Sequence, residues 1–126
     1  MVLDPERVER EAVVGEAGDL ARYLQEQLGQ RLTAYLAGLR DPKVVGRWIA
    51  RDQSPRDASA MRLRAAFQAA RMIVDAYGAS TAKAWFVGSN TGLDDEAPAW
   101  VLRHAASPDD LRFVVPTARA FAGAAD

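Results

Sequence analysis

The sequence predicts an all-α domain, a small helical bundle with a helix-turn-helix half followed by a second helical half. Two observations predict it. Apolar residues recur at i, i+3, i+4 spacing in one segment after another, most clearly in the stretch from Asp57 to Tyr77. Helix start and stop signals separate these stripes: Asp41-Pro42, Pro98 and Ser107-Pro108 open helices, while Gly29 and Gly78 close them. No segment reads as a strand. Phe113 to Val115 is apolar and partly β-branched, but a helix start precedes it and Pro116 follows.

A chain of 126 residues with 49% hydrophobic side chains makes one domain, or one domain plus a tail. The absence of cysteine excludes disulfides, thiolate metal sites and thiol nucleophiles, and fits a cytoplasmic setting. No apolar run approaches membrane-spanning length and the acidic N-terminus is not signal-like, so no membrane association is expected. The net charge of −1 hides an asymmetry: from Arg31 to Arg71 nine bases face three acids, a local +6 between flanks of −4 (residues 1–30) and −3 (residues 72–126). Such a block attracts phosphate backbones, and it equally describes the solvated surface of helices that use arginine rather than lysine.

Residues 1–18 carry five acids against Arg7 and Arg10 and are expected to form an acidic, mobile tail. Asp19 is the expected cap of a helix over Leu20 to Leu28, ended by Gly29. Gln30 to Leu39 has an apolar stripe in Leu32, Tyr35, Leu36 and Leu39. Asp41-Pro42 then opens a helix with Val45, Trp48 and Ile49 on one face and Lys43, Arg47 and Arg51 elsewhere. Two short helices with a tight turn, the second apolar inside and basic outside, describe a helix-turn-helix. Its DNA contacts would be Lys43, Arg47 and Arg51, with Arg40 and Arg56 clamping the backbone at either end.

After a loop at Ser54-Pro55 the long helix Asp57 to Tyr77 carries Leu63, Phe67, Ala70, Val74 and Tyr77 as one apolar stripe, widened by Ala66 and Ile73. Ser80 is the expected cap of a short helix reaching Phe86. The loop that follows mixes Gly88, Asn90 and Gly92 with Asp94, Asp95 and Glu96, and Pro98 starts a helix carrying Trp100, Val101 and Leu102. Ser107-Pro108-Asp109-Asp110 opens the last helix, with Leu111, Val114, Val115, Ala118 and Phe121; Pro116 should kink it or break it into two turns.

Catalytic chemistry is thin. His104 is the sole histidine, no second His or Cys stands at metal spacing, and the acids at 94–96 lack the spacing and central glycine of a Ca²⁺ loop. Neither a Gly-rich phosphate loop nor a G-x-S-x-G elbow is present, so the chain is expected to be no enzyme, with no cofactor and no metal. The aromatics Trp85, Phe86, Trp100, Phe113 and Phe121 crowd the last third, as interface anchors or as core. Trp85 leans to the core, and Trp100 beside the acidic loop is balanced between the two roles.

The pattern Trp85-Phe86, Gly88, Asn90, Leu93, Pro98, Leu102 resembles the toxin-binding C-terminal region of Xre/MbcA/ParS-like antitoxins. Arg47-Trp48, Ser54-Pro55-Arg56 and Arg62-Leu63-Arg64 resemble the helix-turn-helix half of the same proteins, and Ala118 to Phe121 resembles their final helix. The resemblance spans roughly Leu20 to Phe121; Pro116 and the acidic N-terminal extension depart from it. It implies an antitoxin of a type II toxin–antitoxin pair that blocks a RES-domain, NAD⁺-consuming toxin and represses its own operon through operator DNA, as a dimer or within a larger toxin–antitoxin assembly. The implied toxin-binding residues are Trp85, Phe86, Asn90, Leu93, Asp94, Pro98, Trp100 and Arg119. The division expected is a tail at 1–18, the helix-turn-helix region at 19–78, the toxin-binding region at 79–123 and a tail at 124–126. The alternative is a helix-turn-helix-shaped interaction module or regulator with no toxin partner; the acids Asp52 and Asp57 beside the basic helix favour it.

Overall fold

The computed structural model describes the backbone of residues 5–124 and the side chains of residues 16–124. Among these the protein is all-α, with no strand: α1 is Pro5–Leu28, α2 Gln30–Ala37, α3 Lys43–Ile49, α4 Asp57–Tyr77, α5 Ala79–Val87, α6 Pro98–His104 and α7 Val114–Gly123. Two 3₁₀ turns, Thr91–Leu93 and Pro108–Leu111, flank α6.

Helix α4 is the axle. Its buried stripe of Ala60, Leu63, Ala66, Ala69, Ala70 and Ile73 receives α7 on one side and α1, α2 and α5 on others. Four of these six are alanines, which lets neighbouring helices approach closely; Leu24, Leu28, Leu36, Phe86, Leu102 and Val114 fill the space between. Burying this apolar surface is the main drive for assembling helices as short as α3 and α6, which would not persist alone.

The expected cap at Asp19 is absent. The helix begins at Pro5 and passes through Asp19 without a break, because Ala17, Leu20, Ala21, Leu24 and Leu28 extend one buried stripe across that position. The Asp19 carboxylate instead accepts a hydrogen bond from Arg51 at 3.0 Å. The helical backbone thus includes residues 5–18, where a tail was expected; residues 1–4 of that tail lie outside the described residues. At 124–126 only Ala124 is described. Gly18 sits where α1 meets the end of α3: a Cβ there would stand 2.9 Å from the Trp48 carbonyl oxygen, so the crossing needs glycine.

Elsewhere the punctuation acts largely as its chemistry suggests. Gly29 (φ 89) and Gly38 (φ 87) turn the chain at either end of α2, and the Asp41 carboxylate accepts from the Lys43 N–H at 3.0 Å. Asp57–Tyr77 is the long helix foreseen, and Gly78 (φ 96) both ends it and begins α5. Ser80 therefore lies inside α5 and caps nothing, since the reversal at Gly78 starts the helix earlier. Ser107 and Asp110 form a reciprocal capping box, but it opens a single 3₁₀ turn; α7 restarts at Val114. Pro116 then falls in the first turn of α7, where its missing N–H has no helical acceptor to lose, so the chain breaks before the proline rather than kinking at it.

Candidate interaction surfaces

Two surfaces gather the residues singled out in the sequence. The first is built on the Asn90–Trp100 segment. The Asn90 side chain accepts from the Gly92 N–H at 2.9 Å, and its carbonyl accepts from the N–H groups of Leu93 and Asp95. Asn90 and Glu96 pair as an isolated antiparallel bridge. Asp94 (φ 54) and Asp95 (φ 67) adopt the left-handed conformation that closes this loop, a geometry aspartate tolerates better than most residues. Leu93 plugs the loop into the core, and Pro98 occupies the first turn of α6.

That arrangement leaves Trp100 on the outer face of α6, 43% exposed. His104, one turn later, stacks on the indole at 4.2 Å between centroids, and its Nδ1 lies 2.9 Å from the Trp100 carbonyl oxygen. Trp100 is a ridge between two grooves. One, about 410 Å³, is walled by Leu32, Tyr35, Val87 and Ala99; the other, about 310 Å³, by Leu93, Val101 and Phe113. Glu96 stands at both, and Asp94 and Asp110 rim the second. Val87 and Phe113 are more than half exposed. The result is an apolar surface with an acidic margin.

The other residues implied as toxin-binding divide sharply. Trp85, Phe86, Leu93 and Pro98 are buried, with Trp85 and Phe86 edge-to-face at 5.0 Å. They support the Asn90–Trp100 segment from below. Asp94 and Arg119 are exposed, Arg119 on α7. Tyr35 and Val87 join the surface without having been read as part of it, and Phe113, one of the aromatics left between anchor and core, lies on it. Tyr35 and its groove neighbour Trp100 are far apart in sequence, and only the packing of α2 on α6 joins them.

The second surface is the outer side of α2–α3. Lys43 and Arg47 are exposed on α3, while Val45 and Trp48 are buried beneath it. Arg40 precedes the helix and Arg56 stands at the start of α4, both exposed. Arg51 does not extend the basic face as expected: α3 ends at Ile49, and Arg51, in a left-handed conformation (φ 62), turns to Asp19 of α1. The +6 block is further reduced. Arg71 pairs with Asp75, and Arg62 points inward, donating to the carbonyls of Ala37 (3.2 Å) and Ala105 (2.8 Å).

Among the described residues no group of three or more His, Cys, Asp or Glu could hold a metal ion, and no helix is long and apolar enough to cross a membrane. No protein-family model, curated protein or solved structure matches the chain.

Proposed function

We propose that the chain is an antitoxin: it docks through the Trp100 face onto a RES-domain, NAD⁺-consuming toxin and blocks it, and binds operator DNA through α2–α3 to repress its own operon. The observation that carries this reading is Trp100 itself, held by His104 between two apolar grooves with acids at the margin. An exposed indole in a fixed pose loses little conformational freedom on binding and removes a large apolar area from water, which is how interface anchors work. The acids Asp94, Glu96 and Asp110 favour a basic rim on the partner and speed encounter with it. The residues that carry the family resemblance are the ones that build this face: Trp85, Phe86, Leu93 and Pro98 from inside, and Asn90 through its turn. Co-expression with a RES-domain protein encoded beside this chain tests the reading: the pair should co-purify, as a hetero-oligomer, and NAD⁺ loss should stop. A toxin that keeps consuming NAD⁺ at saturating amounts of the chain would refute it.

A second reading is favoured by the fate of three arginines. With Arg51 tied to Asp19, Arg71 to Asp75 and Arg62 turned inward, the basic block narrows to Arg31, Arg40, Lys43, Arg47, Arg56 and Arg64. An interaction module that keeps the helix-turn-helix shape without reading DNA fits that narrowing. Operator affinity that falls steeply with added salt distinguishes the DNA reader; the interaction module shows weak binding at any salt.

A further inference from the structure

We propose, on the reading of the Trp100 face as a toxin-docking surface, that its smaller groove seats one arginine side chain of the docked protein. The groove is about 310 Å³, with Leu93, Trp100 and Phe113 among its walls and Asp94, Glu96 and Asp110 at its rim. No Lys, Arg or His lines it. Its size is at the low end of the range for small-molecule pockets, roughly 300–1,000 Å³, which suits a single long side chain.

Charge decides the sign of the occupant. The carboxylates of Asp94 and Glu96 make no hydrogen bond or ion pair with any described residue. Asp110 is engaged through one oxygen alone. Its Oδ2 accepts from the N–H groups of Ala106 (2.9 Å) and Ser107 (3.1 Å) and from the Ser107 hydroxyl, while Oδ1 accepts from no described residue. Those backbone bonds hold the carboxyl below the usual aspartate range, so it stays ionised at neutral pH. Arg112, beside Phe113, is committed elsewhere: its Nη1 pairs with Asp109 at 2.6 Å. Three acids thus rim an apolar groove whose walls supply no counter-ion. Once a docked protein excludes water, a cation placed there is held far more strongly than at an open surface.

The rings and the spread of acceptors select arginine over lysine. Both aromatic neighbours of Trp100 on this face already carry a guanidinium of this chain: Arg103 lies 4.7 Å from the Tyr35 centroid and Arg112 4.8 Å from that of Phe113. Trp100, of the ring type that attracts cations most strongly, has His104 stacked on it and no arginine or lysine over it among the described residues. A planar guanidinium stacks on an indole and presents forked N–H donors at its edge, so it can reach carboxylates on more than one side of the groove; a compact ammonium cannot do both. The aliphatic stem of the same side chain covers apolar wall such as Leu93.

The test uses the full chain labelled with ¹⁵N and a double variant, Asp94→Asn with Glu96→Gln. Backbone atoms make the Asn90–Glu96 pairing, and asparagine tolerates the left-handed conformation of position 94 (φ 54), so the variant keeps the loop. The Trp100 indole resonance is followed during titration with N-acetyl-arginine amide, with N-acetyl-lysine amide and with sodium chloride of equal ionic strength; the buried Trp48 and Trp85 indoles are internal references. The arginine probe should give saturable shifts, at least threefold tighter than the lysine probe and weakened at least fivefold in the variant. Parent and variant are also titrated into the RES-domain protein that the proposed function expects to be encoded beside the chain, where the variant should bind at least tenfold more weakly. No saturable shift with the arginine probe, equal affinity for the lysine probe, or toxin binding unchanged in the variant overturns the proposal. So does self-association of the chain, seen by sedimentation, that the variant abolishes, because the groove then belongs to a second copy. Binding of the arginine probe with no toxin binding by the parent would refute the toxin reading and leave the groove an arginine site.

Discussion

The Arg103 guanidinium lies 4.7 Å from the centroid of the Tyr35 ring, and its Nη1 donates to the Tyr35 carbonyl at 2.8 Å. The same nitrogen donates to the Leu39 carbonyl at 3.1 Å. One side chain of α6 thereby satisfies carbonyls at the end of α2 and in the turn before α3, and ties α6 to the α2–α3 segment. It also fixes Tyr35, a wall of the larger groove beside Trp100. Arg103→Ala should cost roughly 1–2 kcal/mol, the scale of partly exposed charge-assisted hydrogen bonds with a cation–π contact. Arg103→Lys should recover less than half of that, because an ammonium cannot stack and fork at once. Urea unfolding midpoints at unchanged m-value measure both.

Gly18→Ala tests the crossing of α1 and α3. In an isolated helix the change would stabilise by about 1 kcal/mol. Here the new Cβ would stand 2.9 Å from the backbone oxygen of Trp48, which has no flexible end to swing away. Overpacking of this kind costs about 1–3 kcal/mol, so the variant should be less stable than the parent. A raised thermal midpoint would show that the two helices separate more easily than their packing implies.

The basic residues of the α3 region should separate into two classes. Arg47→Ala should lower operator affinity by roughly 1–3 kcal/mol if the side chain reads a base. Arg51→Ala should instead loosen the tie between the α3–α4 loop and α1, an exposed ion pair contributing about 0–1 kcal/mol to stability, and leave the salt dependence of DNA binding as it was. Gel shifts at two salt concentrations, with unfolding curves alongside, report both. Equal loss of affinity in the two variants would return Arg51 to the DNA face.

The start of the last 3₁₀ turn should be acid-sensitive. Hydrogen bonds from the backbone N–H groups of Ala106 and Ser107 hold the Asp110 carboxyl below the usual aspartate range, helped by the Ser107 hydroxyl and the Arg112 cation. A depressed folded-state pKa means that the contribution to stability is complete above the unfolded value of about 3.9 and drains away as pH falls through the lower folded value. The Ala106 and Ser107 amide resonances should titrate with a midpoint under that of an ordinary aspartate, and Asp110→Asn should abolish the transition. A midpoint at or above the ordinary value would mean that the capping box does not form in solution.

What the sequence made legible was local. Asp57–Tyr77 stands out because its apolar stripe and closing glycine agree, and Ser107 to Asp110 because cap, proline and acid come in order. The misplaced starts at Asp19 and Ser80 have one cause: a residue with capping chemistry was read as a boundary, while a continuous stripe in α1 and the reversal at Gly78 decided the matter. Arg51 looked like one more turn of a basic helix because nothing local announces that α3 stops at Ile49 or that Asp19 waits 32 residues upstream. The Trp100 face was half legible. Most of it, from Val87 to Phe113, comes from one stretch of sequence, but Leu32 and Tyr35 reach it only through long-range packing.

The central claim, that Trp100 is the anchor of a toxin-binding face, is tested most directly by isothermal titration of the chain and of its Trp100→Ala variant into the RES-domain protein that the proposed function expects to be encoded beside it. Trp100 is half outside the core, so the variant should keep its thermal midpoint. The account predicts tight binding by the parent and a loss of at least 30-fold in the variant, about 2 kcal/mol or more for an interface anchor. Tight binding that is indifferent to Trp100→Ala, or no binding by the parent chain, would contradict it.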